Sequence, residues 1–201
     1  MLLALNAGTI DEISLPRFAA EYVVKNNPEL KICCVECMPY EMSLLFGFRD
    51  DEGGHDLQAR MNEAIEAMKA DGTLEALERD YLKSAPGETL TPVQFDAFPE
   101  SDETIRVVVT GDLPPLDYIG ADGVPAGFNT AVLAEIGRRL GANIELVSMQ
   151  TGSRTLALTS NTADAVFWYM ETPGATDDLP EGLLFSDPYI SWDMWLYIRK
   201  A

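Results

Sequence analysis

The sequence predicts an α/β fold, with a mostly parallel sheet flanked by helices, and three observations carry that expectation. Short β-branched or apolar runs alternate with amphipathic helical stretches along most of the 201 residues. The clearest helix, Leu57 to Ala70, sets Leu57, Met61, Ile65 and Met68 on one apolar stripe, with Arg60, Glu63, Glu66 and Lys69 elsewhere on its surface. Between the two βα-patterned halves, Pro86, Gly87, Pro92 and Pro99 punctuate a stretch rich in Thr and acids, which reads as a linker.

Each element follows from local chemistry. Asp11 to Leu15 reads as a short strand stopped by Pro16, and Arg17 to Lys25 as a helix carrying Phe18, Tyr22 and Val23 on one stripe. Asn26-Asn27-Pro28 ends that helix, because a residue before proline avoids the helical region. Leu30 to Val35 is a strand, and Tyr40 to Arg49 a second extended run. Asp50 to Gly54 reads as an acidic, glycine-containing turn before the Leu57 helix. Gly72 caps that helix, and another follows through Leu74, Leu77 and Tyr81.

After the linker, Ile105 to Thr110 is a β-branched strand, and Gly111 to Gly127 a loop. Asn129 is the expected N-cap of a helix carrying Val132, Leu133, Ile136 and Leu140, ended by Gly141. Ile144 to Ser148 is a strand, Arg154 to Leu158 a short helix, Asp164 to Tyr169 a strand, and Trp192 to Ile198 the last extended run.

Composition narrows function. With 14 Lys and Arg against 33 Asp and Glu, the formal charge is −19. That balance argues against nucleic acid as a partner and against docking on anionic lipid. No apolar run reaches the roughly 20 residues that span a bilayer. Met1-Leu2-Leu3-Ala4-Leu5 is too short for a signal peptide and lacks a basic flank, so membrane association is expected only through segments outside this chain.

Cys33, Cys34 and Cys37 sit together, but His55 is the only histidine. Four zinc ligands are not legible, and the cysteines read as small strand residues or as a Cys34–Cys37 disulfide. No Gly-x-Ser-x-Gly, phosphate-binding glycine loop or His–nucleophile pairing occurs. Glu171 with Asp112 is the one acid–base pair a catalytic reading could name. The expectation is a protein that is not an enzyme and needs no cofactor.

Several motifs in the second half occur in a recognisable order. They are Pro114-Pro115-Leu116-Asp117-Tyr118, Asp122-Gly123-Val124-Pro125-Ala126-Gly127-Phe128-Asn129, the Leu133–Leu140 helix with Gly141, Ala163-Asp164-Ala165-Val166, and Phe185-Ser186-Asp187-Pro188-Tyr189. This combination resembles the bacterial family 3 extracellular solute-binding proteins, of the amino-acid-binding type. The first half resembles the end of the same family, through Ala4 to Asp11 and through Leu44 to Tyr81 with Lys69-Ala70-Asp71-Gly72-Thr73-Leu74.

The resemblance implies a periplasmic-binding-protein-like lobe plus a partial second lobe, in inverted order. Residues 1–39 are expected to be a lobe 2 element, 40–83 the closing strand and C-terminal helices of lobe 1, 84–103 a linker, and 104–201 the start and body of lobe 1. A cut through tandem modules and a circular permutation both explain the inversion.

The family grips an α-amino acid between two lobes, with a lobe 1 arginine on the carboxylate and a lobe 2 aspartate on the amino group. Here Ala175 and Pro16 stand at those positions. Leu113, Pro115, Trp168, Tyr169, Glu171 and Thr172 remain near the expected cleft. Trp168 and Tyr169 either stack on a flat or cationic ligand, with Glu171 as counter-charge, or pack at a strand end. Arg154 is either a replacement carboxylate anchor or a solvated surface residue. Trp192 and Trp195 are read as sheet packing or lobe contact.

The resemblance thus implies an extracytoplasmic domain, periplasmic or at the cell surface, that binds an amino acid or cationic compound for ABC transport. The alternative is a sensor or degenerate input module of a membrane-bound signalling protein. If lobe 1 closes by exchange between chains, a homodimer follows.

Overall fold

A computed structural model describes residues 2–83, 91–120, 122–172 and 179–201. In chain order it holds α1 (Leu2–Ala7), β1 (Glu12–Pro16), α2 (Arg17–Asn26), β2 (Leu30–Arg49), α3 (Glu52–Ala70) and α4 (Thr73–Glu78), which runs into a π-helical turn at Arg79–Lys83. There follow β3 (Thr104–Val109), β4 (Asp112–Leu113), β5 (Asp117–Ile119), β6 (Pro125–Ala126), α5 (Phe128–Leu140), β7 (Asn143–Ser148), α6 (Arg154–Thr159), β8 (Ala165–Glu171), β9 (Leu183–Phe185) and β10 (Ile190–Lys200).

The main sheet runs β1-β10-β2-β8-β3-β7, with β9 also on β2. Parallel pairing is confined to β8, β3 and β7, while β1, β10, β2 and β9 are added antiparallel. The largely parallel sheet expected from the βα alternation is therefore corrected to a mixed one. Only β3-α5-β7 and β7-α6-β8 have the helical crossovers that return the chain to the same end of the sheet.

The two extended runs expected at 30–35 and 40–49 form a single 20-residue strand, β2. β10 accompanies it, pairing Ile190–Trp192 with Met42–Leu44, then Met194–Lys200 with the segment from Cys37 back to Leu30. The register between Trp192 and Met194 is irregular. These two strands join a large and a small hydrophobic core.

In the large core, Leu57, Met61, Ile65 and Met68 of α3 and Val132, Leu133 and Ile136 of α5 cover Leu44, Phe46, Phe48, Ile105, Val107 and Phe167 on one sheet face. The opposite face carries Val108, Val166 and Tyr169 beneath Ala157 and Leu158 of α6. The helix–sheet–helix layering is that expected of an α/β domain. The small core joins Leu5, Ile13, Ala20 and Val23 to Leu30, Leu196 and Ile198. This small core is built from α1, β1, α2 and the far ends of β2 and β10.

The turn expected at Asp50 to Gly54 is instead the start of α3. Asp51 is the N-cap, its Oδ1 accepting the Gly54 N–H at 2.8 Å. Gly54 is required there, because a Cβ would stand 1.9 Å from the Arg49 carbonyl oxygen. The described part of the 84–103 linker lies along the body rather than standing free. Val93 is buried with its N–H on Pro125 O (2.8 Å), and the Phe98 N–H is held by Asn143 Oδ1 (2.9 Å).

Candidate functional site

Ligands of α/β sheets enter at the carboxyl ends of parallel strands, here the ends of β3, β8 and β7. At the end of β3, the Asp117 carboxylate is buried and gathers three donors. Thr110 N–H reaches it at 2.9 Å, Gly111 N–H at 2.7 Å and the Thr110 hydroxyl at 3.0 Å. Burial pushes its pKa above the ordinary carboxylate value, and these donors oppose that rise.

Beyond β4 the loop turns back so that Pro115 and Leu116 carbonyls accept the Phe128 and Asn129 N–H groups. These carbonyls do the capping that was expected of Asn129, which lies inside α5 while Gly127 is the N-cap. The Asn129 side chain is fully buried, its amide atoms without hydrogen-bond partners. Pro115 is buried, and Leu113 is half-buried against the main core. Both fix the loop.

The end of β8 is shaped by an irregularity. Leu45 opposes Tyr169 and Gly47 opposes Val166, so two β8 residues, Phe167 and Trp168, stand opposite the single residue Phe46. Simple alternation would put Tyr169 on the Phe167 face. The extra residue turns it to the α6 face instead. There its hydroxyl meets Thr155 Oγ1 at 2.9 Å, its ring meets Phe185 edge-on, and the Arg154 guanidinium lies 5.4 Å from its centroid.

Tyr169 is therefore engaged inside the protein and does not form an open stacking platform. The Trp168 side chain and residues 173–178, which include Ala175, lie outside the described residues. Arg154 is half-buried, donating to the Phe167 carbonyl at 3.2 Å. Burial lowers its pKa, while Tyr169 and Asp117 oppose that shift. This corrects the solvated-surface alternative for Arg154: its charge sits inside, toward the strand ends.

Glu171 is the last β8 residue and pairs with Ser43. Thr172 follows, its hydroxyl 3.4 Å from Met42 Sδ. Ser43 meets Ser191 of β10 through a 2.9 Å hydroxyl contact. The order of β8, β2 and β10 thus carries this edge from Glu171 to Trp192.

Two grooves open here. The first, about 430 Å³, is lined by Thr110, Asp112, Ser148, Met149 and Gln150. The second, about 540 Å³, lies between the small lobe and the main body. Its walls are Arg17, Phe18 and Glu21 of α2 against Glu78 and Leu82, and its floor is Ile190 to Met194 of β10. Phe18 meets the Trp192 ring edge-on at 5.6 Å, and Arg17 is paired with Glu21 at 2.7 Å. The indole N–H groups of Trp192 and Trp195 are buried without hydrogen-bond partners.

Of the sequence-derived candidates, Leu113 and Pro115 belong to the loop after β3. Glu171 and Thr172 come together at the end of β8, and Arg154 with Tyr169 beneath α6. The α2 wall of the second groove was missed, although Pro16 had been matched to the family's aspartate position. Pro16 stands opposite Trp195 in the sheet and directly before Arg17, so that match was the available signal.

Solved structures resemble this chain at low identity, and the first of them shares its fold. The PBP AgaA from A. tumefaciens R10, solved with agropinic acid, matches over 99% of this chain and 52% of its own, with TM-score 0.51 and 12% identity. YhfZ from Shigella flexneri matches over 99% of this chain and 60% of its own, with TM-score 0.41 and 12% identity. The phosphate-binding protein of a phosphate ABC transporter from Streptococcus pneumoniae TIGR4 matches over 81% and 54%, with TM-score 0.41 and 11% identity. The chain therefore spans little more than half the length of these structures. No curated protein sequence matches it significantly. Residues 105–201 carry the sequence signature of the bacterial extracellular solute-binding proteins, family 3.

Proposed function

We propose that this chain recognises a small amino-acid-like or cationic molecule outside the membrane, through the groove between α2 and the main body. The observation that carries the reading is the composition of that groove. Among the described residues, Glu21, Glu78 and Asp193 line it with one cation, Arg17, which is paired with Glu21, and this acidic lining beside Phe18 and Trp192 suits an organic cation. Glu171 and Thr172 extend the same edge through Ser43 and Ser191. Arg154, Leu113, Pro115 and Tyr169 do not line this groove: they hold the neighbouring strand ends and loop.

The extracytoplasmic location rests on the family signature over residues 105–201, and no described helix is long and apolar enough to cross a membrane. Residues 40–83 and 104–201 form lobe 1 and residues 1–39 the lobe 2 element, in permuted or tandem order. The pairing of β2 with β8 and β10 within one chain supports closure without exchange between chains. A monomer by light scattering is the expected result, and a dimer would restore exchange.

The test is melting temperature against a panel of amino acids, polyamines and small peptides. A ligand at a hundred times its Kd adds about 2.7 kcal/mol to stability. Saturable stabilisation by a cationic compound, lost in Trp192→Ala, is the expected outcome. No shift across the panel would remove the receptor reading and favour the second one, an input module of a membrane-bound signalling protein that works through protein contacts. The uncharged residues Pro16 and Ala175 at the family's anchor positions favour that second reading.

A further inference from the structure

A second constellation lies on the small lobe, away from both grooves. β10 residues Tyr197 and Ile198 face Cys34 and Ile32, so Cys33 is an extra residue bulged out of β2. Successive strand residues ordinarily point to opposite faces. The bulge brings both thiols together, with Cys33 Sγ 3.6 Å from Cys34 Sγ. β1 brings Glu12 alongside, its Oε2 4.0 Å from Cys33 Sγ. One ligand atom from each of the three residues lies within 4.8 Å of the others.

We propose that Cys33, Cys34 and Glu12 form a binding site for a thiophilic d¹⁰ divalent cation of the Zn²⁺ or Cd²⁺ class. The geometry is close to what such an ion requires. Two sulfurs each about 2.3 Å from a tetrahedral zinc stand roughly 3.8 Å apart, and a sulfur and a carboxylate oxygen roughly 3.5 Å. The thiol pair at 3.6 Å already meets the first value, and Glu12, 4.0 Å from Cys33 Sγ and within 4.8 Å of Cys34 Sγ, must move inward on both sulfurs to meet the second. Cys34 is exposed and Cys33 half-buried, so the ion has access, and a solvent molecule completes its fourth position.

Protons must leave for the metal to enter. Binding therefore releases protons and strengthens as pH rises. In the metal-free protein the Cys33 thiol donates to the Tyr197 carbonyl at 3.3 Å, a bond given up when the thiol loses its proton to the metal.

The test is a Cd²⁺ titration of the reduced chain, followed by the ultraviolet thiolate-to-cadmium charge-transfer band, with Zn²⁺ competition. The expected result is one ion per chain, displaced by Zn²⁺, with affinity reduced tenfold or more in Cys33→Ser and in Cys34→Ser. Glu12→Gln should weaken binding while retaining the band. Cys33 and Cys34 stand outside the buried cores, and far-ultraviolet circular dichroism checks that each variant folds. Absence of the band, or a band whose intensity and Cd²⁺ affinity are undiminished by loss of either Cys33 or Cys34, would overturn the site. Neither result bears on the groove proposed for the organic ligand.

Discussion

Replacing Asp117 by alanine tests how the candidate cleft is held together. The substitution strands the Thr110 and Gly111 N–H groups and the Thr110 hydroxyl, which now share one carboxylate at 2.7 to 3.1 Å. Bonds to a charged acceptor contribute about 1.5–3 kcal/mol each, and a stranded buried donor costs about 1–3 kcal/mol. Burial of the carboxylate itself works against the parent, since it raises the Asp117 pKa. The net loss should be roughly 2–4 kcal/mol once that relief offsets part of the three lost bonds. In a chain of this size it lowers Tm by roughly 5–12 °C.

Urea unfolding and thermal melts followed by circular dichroism read this directly. Asp117→Asn keeps an accepting oxygen and should lose less than the alanine variant. The pH dependence gives an independent sign. A carboxylate whose folded pKa is raised contributes most below its ordinary value of 3.8 and loses that contribution as pH rises toward the folded value. The parent should therefore gain on Asp117→Asn when acidified through that interval. An alanine variant within about 0.5 kcal/mol of the parent, the range of ordinary surface changes, would refute the role given to Asp117.

Other outcomes follow from the same reasoning. Ile65→Ala, at a fully buried α3 position, should destabilise by about 2–5 kcal/mol in urea unfolding. Gly127→Ala should reduce Tm sharply, because its φ is +104° and the new Cβ would stand 2.5 Å from the Leu116 carbonyl oxygen. Acid titration should show stability falling from the ordinary carboxylate range downward. Asp71 is held at about 2, by the Thr73 hydroxyl and then by Arg139, and Glu135 is held low chiefly by Arg138. Asp164 is also held low, although burial raises it, because Arg106 binds it at 2.7 Å. Depressed carboxylates contribute above their unfolded pKa and lose that contribution as pH falls through the folded value. A urea midpoint that rises steadily between pH 4.5 and about pH 2 would contradict this assignment.

The motif Phe185-Ser186-Asp187-Pro188-Tyr189 illustrates what a recognisable sequence does physically. Ser186 stands in for strand pairing at Phe46, taking its N–H on the hydroxyl and donating its own N–H to the Phe46 carbonyl. Asp187 N–H is held by Asn62 of α3, and Tyr189 lies 4.7 Å from the Phe46 ring. These contacts join β9, β10 and α3 across more than a hundred residues of chain. The motif was legible because it is local, and its partners were not, because they lie far along the chain.

Periodicity alone determined the α3 and α5 stripes, the β3 and β7 runs and the α/β class, because burying one helix face or one strand face leaves a repeat in the residues themselves. The order of motifs in the second half also pointed to the family. Only the tertiary structure decided the mixed sheet, the single long β2, the inward turn of Tyr169 and the meeting of Cys33 with Cys34. Pairing direction depends on which strand lies alongside, and a bulge reverses the side-chain alternation on which a sequence reading relies. Both are set by a partner strand distant in sequence, and so neither is written in the local run of residues.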